Sequence, residues 1–283
     1  MEKLARAFFY SLPDEWALQL LYFKVFGRFA NLRHPKGFQE KLVWRKLYQR
    51  NPRFTLFADK AAVKDEIARL VGPQHVIPTL WTGTDPEDIP FDTLEPPYAI
   101  KTNHGSGGHF FIRKAEDIDK KKICASMRQQ LALRYGHRLR EWAYHDISRK
   151  ILVERMLVTP QDAPPEDYKF LVFHGRVRAI QIDHDRFTNH TRAFYDRDWK
   201  RLPFTGLYPA PDFLAPRPAM LEEMIAVAEK IGSQFDFVRV DLYQIPPAVY
   251  FGETTFYPGG GIYGFQPREW ELKMGELWKI DTL

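Results

Sequence analysis

The sequence predicts an α+β fold, on three observations. The first seventy residues carry helical periodicity, the stretches that follow alternate as strands, and the later helices are interspersed with hairpins. That order disfavours a doubly wound parallel sheet. With 283 residues, 45% of them hydrophobic and 15% aromatic, the chain can bury one large core or two smaller ones.

In residues 11–26, Leu18, Leu21, Tyr22 and Val25 recur at helical spacing, Ser11 and Asp14 have capping-box spacing, Pro13 suits a first turn and Gly27 the stop. FQEKLVWRKLY (38–48) and FADKAAVKDEIARLVG (57–72) are further helices, the second closed by Gly72. HVIPTLW (75–81), PYAIKTN (97–103) and HFFIRK (109–114) read as strands, and a helix over 120–135 leads to the strand ILVERML (151–157). DYKFLVF and RVRAIQIDHD are alternating runs joined by His174-Gly175, which is a hairpin signature, and a strand near 190–196 extends its sheet. Residues 218–232 form a helix that starts at Pro218 and ends at Gly232. Proline-rich 161–167 and 208–218 are loops.

The formal charge is +5, with basic clusters at 41–53, 120–122 and 134–140. Such clusters suit nucleic acid, an anionic polymer or an acidic membrane face, although each taken alone reads as the solvated face of a helix. The single cysteine, Cys124, excludes an intrachain disulfide. The apolar run at 16–26 includes Gln19 and Lys24 and falls short of the roughly 20 residues a bilayer requires. The charged N-terminus does not read as a signal peptide, so the expected compartment is the cytoplasm.

Two stretches can carry chemistry. In VRVDLY, alternation places Val238, Val240 and Leu242 on one face and Arg239, Asp241 and Tyr243 on the other. On the next strand Phe251, Glu253 and Thr255 are expected to share a face, so Asp241 and Glu253 meet if odd positions pair with odd. Adjacent carboxylates repel unless a cation lies between them, and hard oxygen donors suit Mg2+. The bland alternative is an exposed, solvated hairpin. In IKTNHGSGGHFFIRK (100–114), glycines at 105, 107 and 108 lie between two strands, so their amides can point at phosphate, with Lys101 adding charge. This loop lacks the P-loop ending and does not open a helix, and a ligand-free turn fits it about as well. His104, His109, His174, His184 and His190 show no zinc-ligand spacing.

Taken in order, these pieces resemble the ATP-grasp superfamily. They comprise Lys60 on an early helix, Lys101 before a glycine-rich loop, ILVE ending in Glu154, a charged hairpin, then Asp241 and Glu-x-Thr with Pro-Gly beyond. DYKFLVFHG (167–175), EMIAVAEKI (223–231), FVRVDLY (237–243) and FGETTF (251–256) are similar to the TupA-like ATP-grasp family of polysaccharide biosynthesis, over roughly residues 38–280. The resemblance implies two α+β subdomains clasping ATP between antiparallel sheets: a helical segment at 1–58, a small subdomain at 59–157 and a large one at 158–283. It implies that Lys60 and Lys101 contact ATP, that Gly105, Ser106, Gly107 and Gly108 close over the phosphates, and that Glu154 with Arg155, Met156 and Leu157 forms the adenine hinge. Asp241, Glu253 and Thr255 are the implied Mg2+ ligands, with Lys169 and Arg239 facing the transferred phosphoryl group. Thr255 stands where the superfamily commonly has Asn. Arg186, beside His184 and Asp185, is a further candidate for an acidic substrate.

The implied activity is ligation of a carboxylate to an amine through an acyl phosphate, with a uronic acid or amino-acid carboxylate as substrate and peripheral association with membrane-bound polysaccharide machinery. Nucleic acid is not an expected partner. The alternatives are phosphoryl transfer to a hydroxyl and a non-enzymatic polyanion-binding module.

Overall fold

The structure, a computed structural model, describes residues 8–185 and 188–280. After helical residues 8–11 come α1 Asp14–Phe26, α2 Phe38–Tyr48, α3 Arg53–Ala58 and α4 Val63–Val71. α1 starts later than capping-box spacing implies, because the Ser11 hydroxyl donates to the Phe8 carbonyl and Pro13 takes the cap position. Gly27 ends it with a left-handed φ of 69°. The helix expected at 57–72 is broken into α3 and α4. Asp59 accepts from the Ala61 and Ala62 amides through its carboxylate, which holds Lys60 in a turn.

A four-stranded antiparallel sheet follows, in the order β1-β4-β2-β3, with β1 at Thr79–Gly83, β2 at Tyr98–Thr102, β3 at Phe110–Ile112 and β4 at Ile151–Arg155. β1 lies further along than the expected 75–81, since residues Pro73–His75 form a short 3-10 turn. Helix α5, Lys120–Ala132, covers one face of this sheet, packing Ile123, Cys124 and Met127 onto Tyr98, Ile100, Ile112 and Val153.

The larger sheet is five-stranded and antiparallel, ordered β10-β9-β5-β6-β7. Its strands are β5 Asp167–Phe173, β6 Arg176–His184, β7 Thr191–Tyr195, β9 Phe237–Ile245 and β10 Ala248–Thr255. The β5–β6 turn has His174 and Gly175 at φ 48° and 74°, the double left-handed conformation that the sequence pair suggests. One face presents Phe170, Val172, Ile180, Val238, Val240 and Leu242 to helix α6, Leu221–Gly232. The opposite face is divided. Leu171, Phe173, Ala179 and Phe237 are covered by Phe38 of α2 and by Met274 of α7, Glu269–Glu276, together with Trp278. Further along the same strands this apolar cover ends, and Lys169, Gln181 and Asp241 take its place. A two-stranded ribbon, β8 Thr205–Gly206 with β11 Phe265–Gln266, borders the covered half.

The basic cluster at 41–53 is not a solvated face. Lys41, Arg45 and Lys46 are buried, and they donate to carbonyls at the end of the chain and around the glycine run. Lys41 reaches Gly275 and Trp278, Arg45 reaches Phe237 and Asp236, and Lys46 reaches Leu139 and Gly260. These cations tie α2 to the large sheet.

Candidate functional site

The site begins with a register change in the β9–β10 hairpin. Phe251 pairs with Leu242 and both lie in the apolar core, so an uninterrupted ladder would place Glu253 opposite Val240 and into that core. A bulge between Phe251 and Glu253 inserts Gly252, and Glu253 pairs with Asp241 instead. Phe251 and Glu253 therefore do not share a face, contrary to simple alternation, while Asp241 and Glu253 do meet. Glycine suits the bulge because a Cβ there would lie 2.8 Å from the Tyr243 ring and 3.1 Å from the Asp241 carbonyl.

Arg239 bridges the two carboxylates. Its Nε and Nη2 donate to Asp241 Oδ1 and Oδ2, both at 2.7 Å, and Nη2 lies 3.3 Å from Glu253 Oε1. Lys60 Nζ sits 3.0 Å from Glu253 Oε2, and Thr255 Oγ1 is 3.4 Å from Oε1. Desolvation pushes the Glu253 carboxyl upward, but Lys60 and Arg239 outweigh it and hold the group at about 2. At Asp241 burial wins, and its pKa rises despite Arg239 and Lys169. Burial acts to lower the Arg239 pKa, yet Asp241 and Glu253 raise it further, so the guanidinium is charged at every accessible pH.

Next to this pair on the sheet face, Lys169 contacts Asp167 and lies 3.8 Å from Asp183 and 3.9 Å from Asp241. Asp183 accepts from Arg192 at 2.6 Å and Gln181 at 2.9 Å, with His190 at 3.0 Å. Burial opposes its charge, but Arg192 and Lys169 keep it well below the usual carboxylate range. A row of alternating charge thus runs from Glu253 to Arg192.

The small sheet carries a second group of charges. Glu154, buried at the end of β4, pairs with Lys101 of β2 and with Lys64 of α4 at 2.9 Å. Lys64 also donates to Thr79 Oγ1 and the Ile77 carbonyl, both at 2.8 Å. Desolvation raises the Glu154 pKa, and the two lysines more than reverse it. At the end of β4, the amides of Arg155 and Met156 donate to the carbonyls of Pro78 and Pro97, and Leu157 follows them. The glycine-rich loop leaves β2 toward the large sheet. Lys60 donates to the Gly105 carbonyl at 3.0 Å, Ser106 hydrogen-bonds Tyr135 at 3.1 Å, and Gly107 and Gly108 take φ of 78° and 64°. Lys60 therefore links this loop to Glu253.

The structure thus brings Lys60, Arg239, Asp241, Glu253 and Thr255 together beside the loop, with Lys169 next in the row. Lys101 and Glu154 form a second charged cluster with Lys64, just before residues 155–157 in the chain. Arg186 lies outside the described residues. Sequence reasoning missed Lys64, Tyr135 and Asp183. Lys64 stands one turn after Lys60 in FADKAAVKDEI, which was the available signal.

A divalent cation fits the hairpin chemistry. Among the described residues no group of three or more His, Cys, Asp or Glu is poised to hold a metal. Asp241 and Glu253 with the Thr255 hydroxyl form instead the sparse oxygen set that suits Mg2+, which retains waters and takes phosphate oxygens as ligands.

A family model described as TupA-like ATPgrasp matches residues 40–279. No curated protein matches. Similar solved structures include D-alanine–D-alanine ligase from Bacillus anthracis, 18% identical with a TM-score of 0.42 over 71% of this chain and 57% of that one. The Helicobacter pylori enzyme of the same name is 12% identical, with a TM-score of 0.44 over 81% of this chain and 60% of that one. ATP-grasp ligase PsnB complexed with its minimal precursor is 11% identical, with a TM-score of 0.43 over 80% and 61% respectively. The chain thus spans less than two thirds of these structures.

Proposed function

The chain belongs to the TupA-like ATP-grasp family, and on that premise we propose that it is an ATP-dependent carboxylate–amine ligase of cell-surface polysaccharide biosynthesis. The observation that carries this reading is the bulged hairpin, where Arg239 grips Asp241 and Glu253 while Lys60 joins Glu253 to the glycine-rich loop. The working division is 59–157 as the small subdomain and 158–283 as the large one, with the nucleotide between their sheets.

In this reading the carboxylate substrate attacks the γ-phosphorus of ATP, its oxygen forming the new P–O bond as the bond to ADP breaks. The amine then adds to the acyl phosphate, loses a proton and displaces inorganic phosphate. Arg239 and Lys169 place positive charge where it develops on the transferred group, and Lys60 keeps the loop over it. Lys101 contacts the nucleotide from the small sheet, with Glu154 fixing its ammonium and residues 155–157 bordering the base. Asp241, Glu253 and Thr255 would hold Mg2+, which neutralises phosphate charge when bound. A uronic acid or amino-acid carboxylate is the proposed acceptor. The polyanion-module alternative loses its main patch, because Lys41, Arg45 and Lys46 are interior.

The test is ADP release, with product mass analysis, against a panel of uronic acids paired with amino acids. ADP formed only when both partners are present, and lost in Glu253→Gln, is the expected result. A stable phosphorylated hydroxyl product with no amine dependence overturns the ligase reading.

A further inference from the structure

Helix α1 is apolar on both sides. Ala17, Leu18, Tyr22 and Phe26 pack with Val43 of α2, which accounts for its inner face. The outer face carries Trp16, Leu20 and Phe23 at 60%, 46% and 46% exposure, on about 60° of arc at 100° per residue. Phe29, 53% exposed, extends the stripe past the helix end, its ring centroid 5.1 Å from that of Phe23. Its position is fixed by Gln19, whose side chain donates to the Ala30 carbonyl and accepts from the Ala30 amide. A rigid aromatic stripe of this kind on a surface marks a contact with something else.

Charge selects the partner. From Trp16 to Gln39 the sequence has no Asp or Glu, while it has Lys24, Arg28, Arg33 and Lys36. Arg28 reaches Glu40, and among the described residues Lys24, Arg33 and Lys36 have no ion-pair partner. The acids of the helix, Asp14 and Glu15, are confined to its first turn, where Asp14 lies 3.2 Å from Arg140. Tryptophan and phenylalanine beside unpaired cations, on a helix lying along the surface, match the chemistry of an anionic bilayer interface. No helix among the described residues is long and apolar enough to cross a membrane, so contact through α1 is peripheral.

We propose that α1 and the loop to Phe29 dock this protein on the surface of a bilayer containing anionic lipid, with Trp16, Leu20, Phe23 and Phe29 entering the interface and Lys24 and Arg33 meeting the headgroups. Arg140 donates to the carbonyls of Phe9 and Leu12 just before α1, and its own segment runs back to Tyr135 at the glycine-rich loop. The docking helix is thus tied through Arg140 to the segment that meets the glycine-rich loop, and on the ligase reading this suits an acceptor carried on a lipid.

The test is flotation of the full chain with vesicles of phosphatidylcholine, with and without phosphatidylglycerol. Binding to the anionic vesicles alone, released by high salt, is expected. Trp16→Ser/Leu20→Ser/Phe23→Ser should abolish it with an unchanged thermal midpoint, since these side chains project outward. Lys24→Gln/Arg33→Gln should weaken it about 25-fold, roughly fivefold per cation. Absence of flotation, or flotation that persists in the triple serine variant, overturns the proposal. A dimer in sedimentation that the triple variant converts to monomer, without vesicle binding, assigns the stripe to a second copy instead.

Discussion

Arg239→Met removes the guanidinium that holds Asp241 through two bonds of 2.7 Å. Asp241 is buried, so the variant leaves a carboxylate without its main partner, a loss worth about 3–5 kcal/mol for a buried pair broken on one side. Lys169, 3.9 Å away, offers partial compensation, which places the expected value near the lower end, about 3 kcal/mol. For a chain of this size that corresponds to a Tm decrease of about 6 °C. Arg239→Lys should fall between the two proteins, because one ammonium cannot reproduce a planar fork. Arg239→Met/Asp241→Asn removes the orphaned charge along with its partner, so it should unfold at a higher temperature than Arg239→Met alone. ADP release should fall by about 10²–10³-fold in every Arg239 variant, the range seen when a group that stabilises transition-state charge is removed. Mg2+ should raise the Tm of Arg239→Met more than that of the wild type, since a divalent ion can supply the positive charge that Asp241 and Glu253 have lost. Thermal unfolding with and without Mg2+ gives the stability values, and an ADP-release assay gives the activity. Additive losses in the double variant, or a wild-type Tm in Arg239→Met, would refute the view that the guanidinium offsets the charges of buried Asp241 and partly exposed Glu253.

Three further outcomes follow from the packing. Burial pushes Glu271 up to about 7, although the amides of Phe265 and Gln39 donate to it, so the folded state retains a proton that the unfolded chain has lost. Its contribution to stability is complete below about pH 4.5 and is lost as pH rises through about 7, by up to about 3 kcal/mol; denaturation of Glu271→Gln across pH 5–8.5 should show a flatter slope than wild type, and an unchanged slope removes Glu271 as the cause. Gly232→Ala should destabilise by about 1–3 kcal/mol in urea, because the new Cβ would lie 2.3 Å from Val172 Cγ1; helix propensity alone predicts a gain of about 1 kcal/mol, so the sign of the change decides. Lys101→Met leaves Lys64 on Glu154, so stability should fall by only about 1 kcal/mol while KM for ATP rises, and a wild-type KM removes Lys101 from nucleotide binding.

The larger sheet was legible because its signals are local. His174-Gly175 specifies a tight hairpin, and the alternation in residues 237–243 separates the core side chains from the charged ones without knowledge of the partner strand. The N-terminal region was legible in class but not in its use. KLVWRKLYQR has the composition of a solvated helix, and its apolar periodicity does not reveal that Lys41, Arg45 and Lys46 point inward. What draws them in is a set of carbonyls more than ninety residues away, at Leu139, Phe237, Gly260, Gly275 and Trp278. Binary patterning treats every lysine as exterior, and it fails where carbonyls of loops, a strand start and a helix end need donors.

The site shows a sharper limit. Asp241 and Glu253 were identifiable as a pair, yet the pairing depends on a bulge that alternation does not forecast; two-residue periodicity on β10 puts Phe251 and Glu253 on one face, and the fold needs them on opposite faces. Gly252 is the only local sign, since glycine within a strand marks a bulge or a close backbone approach, and here it marks both. Lys60 illustrates the same limit for helices. Read as helical, its direction is set by the period of 57–72. The Asp59 carboxylate, by accepting from the Ala61 and Ala62 amides, holds that position in a turn and frees Lys60 to reach Glu253 and the Gly105 carbonyl together. The helix that resumes at Val63 then turns Lys64 toward Glu154. One short aspartate turn thus assigns two lysines, four residues apart, to two different carboxylates on two different sheets.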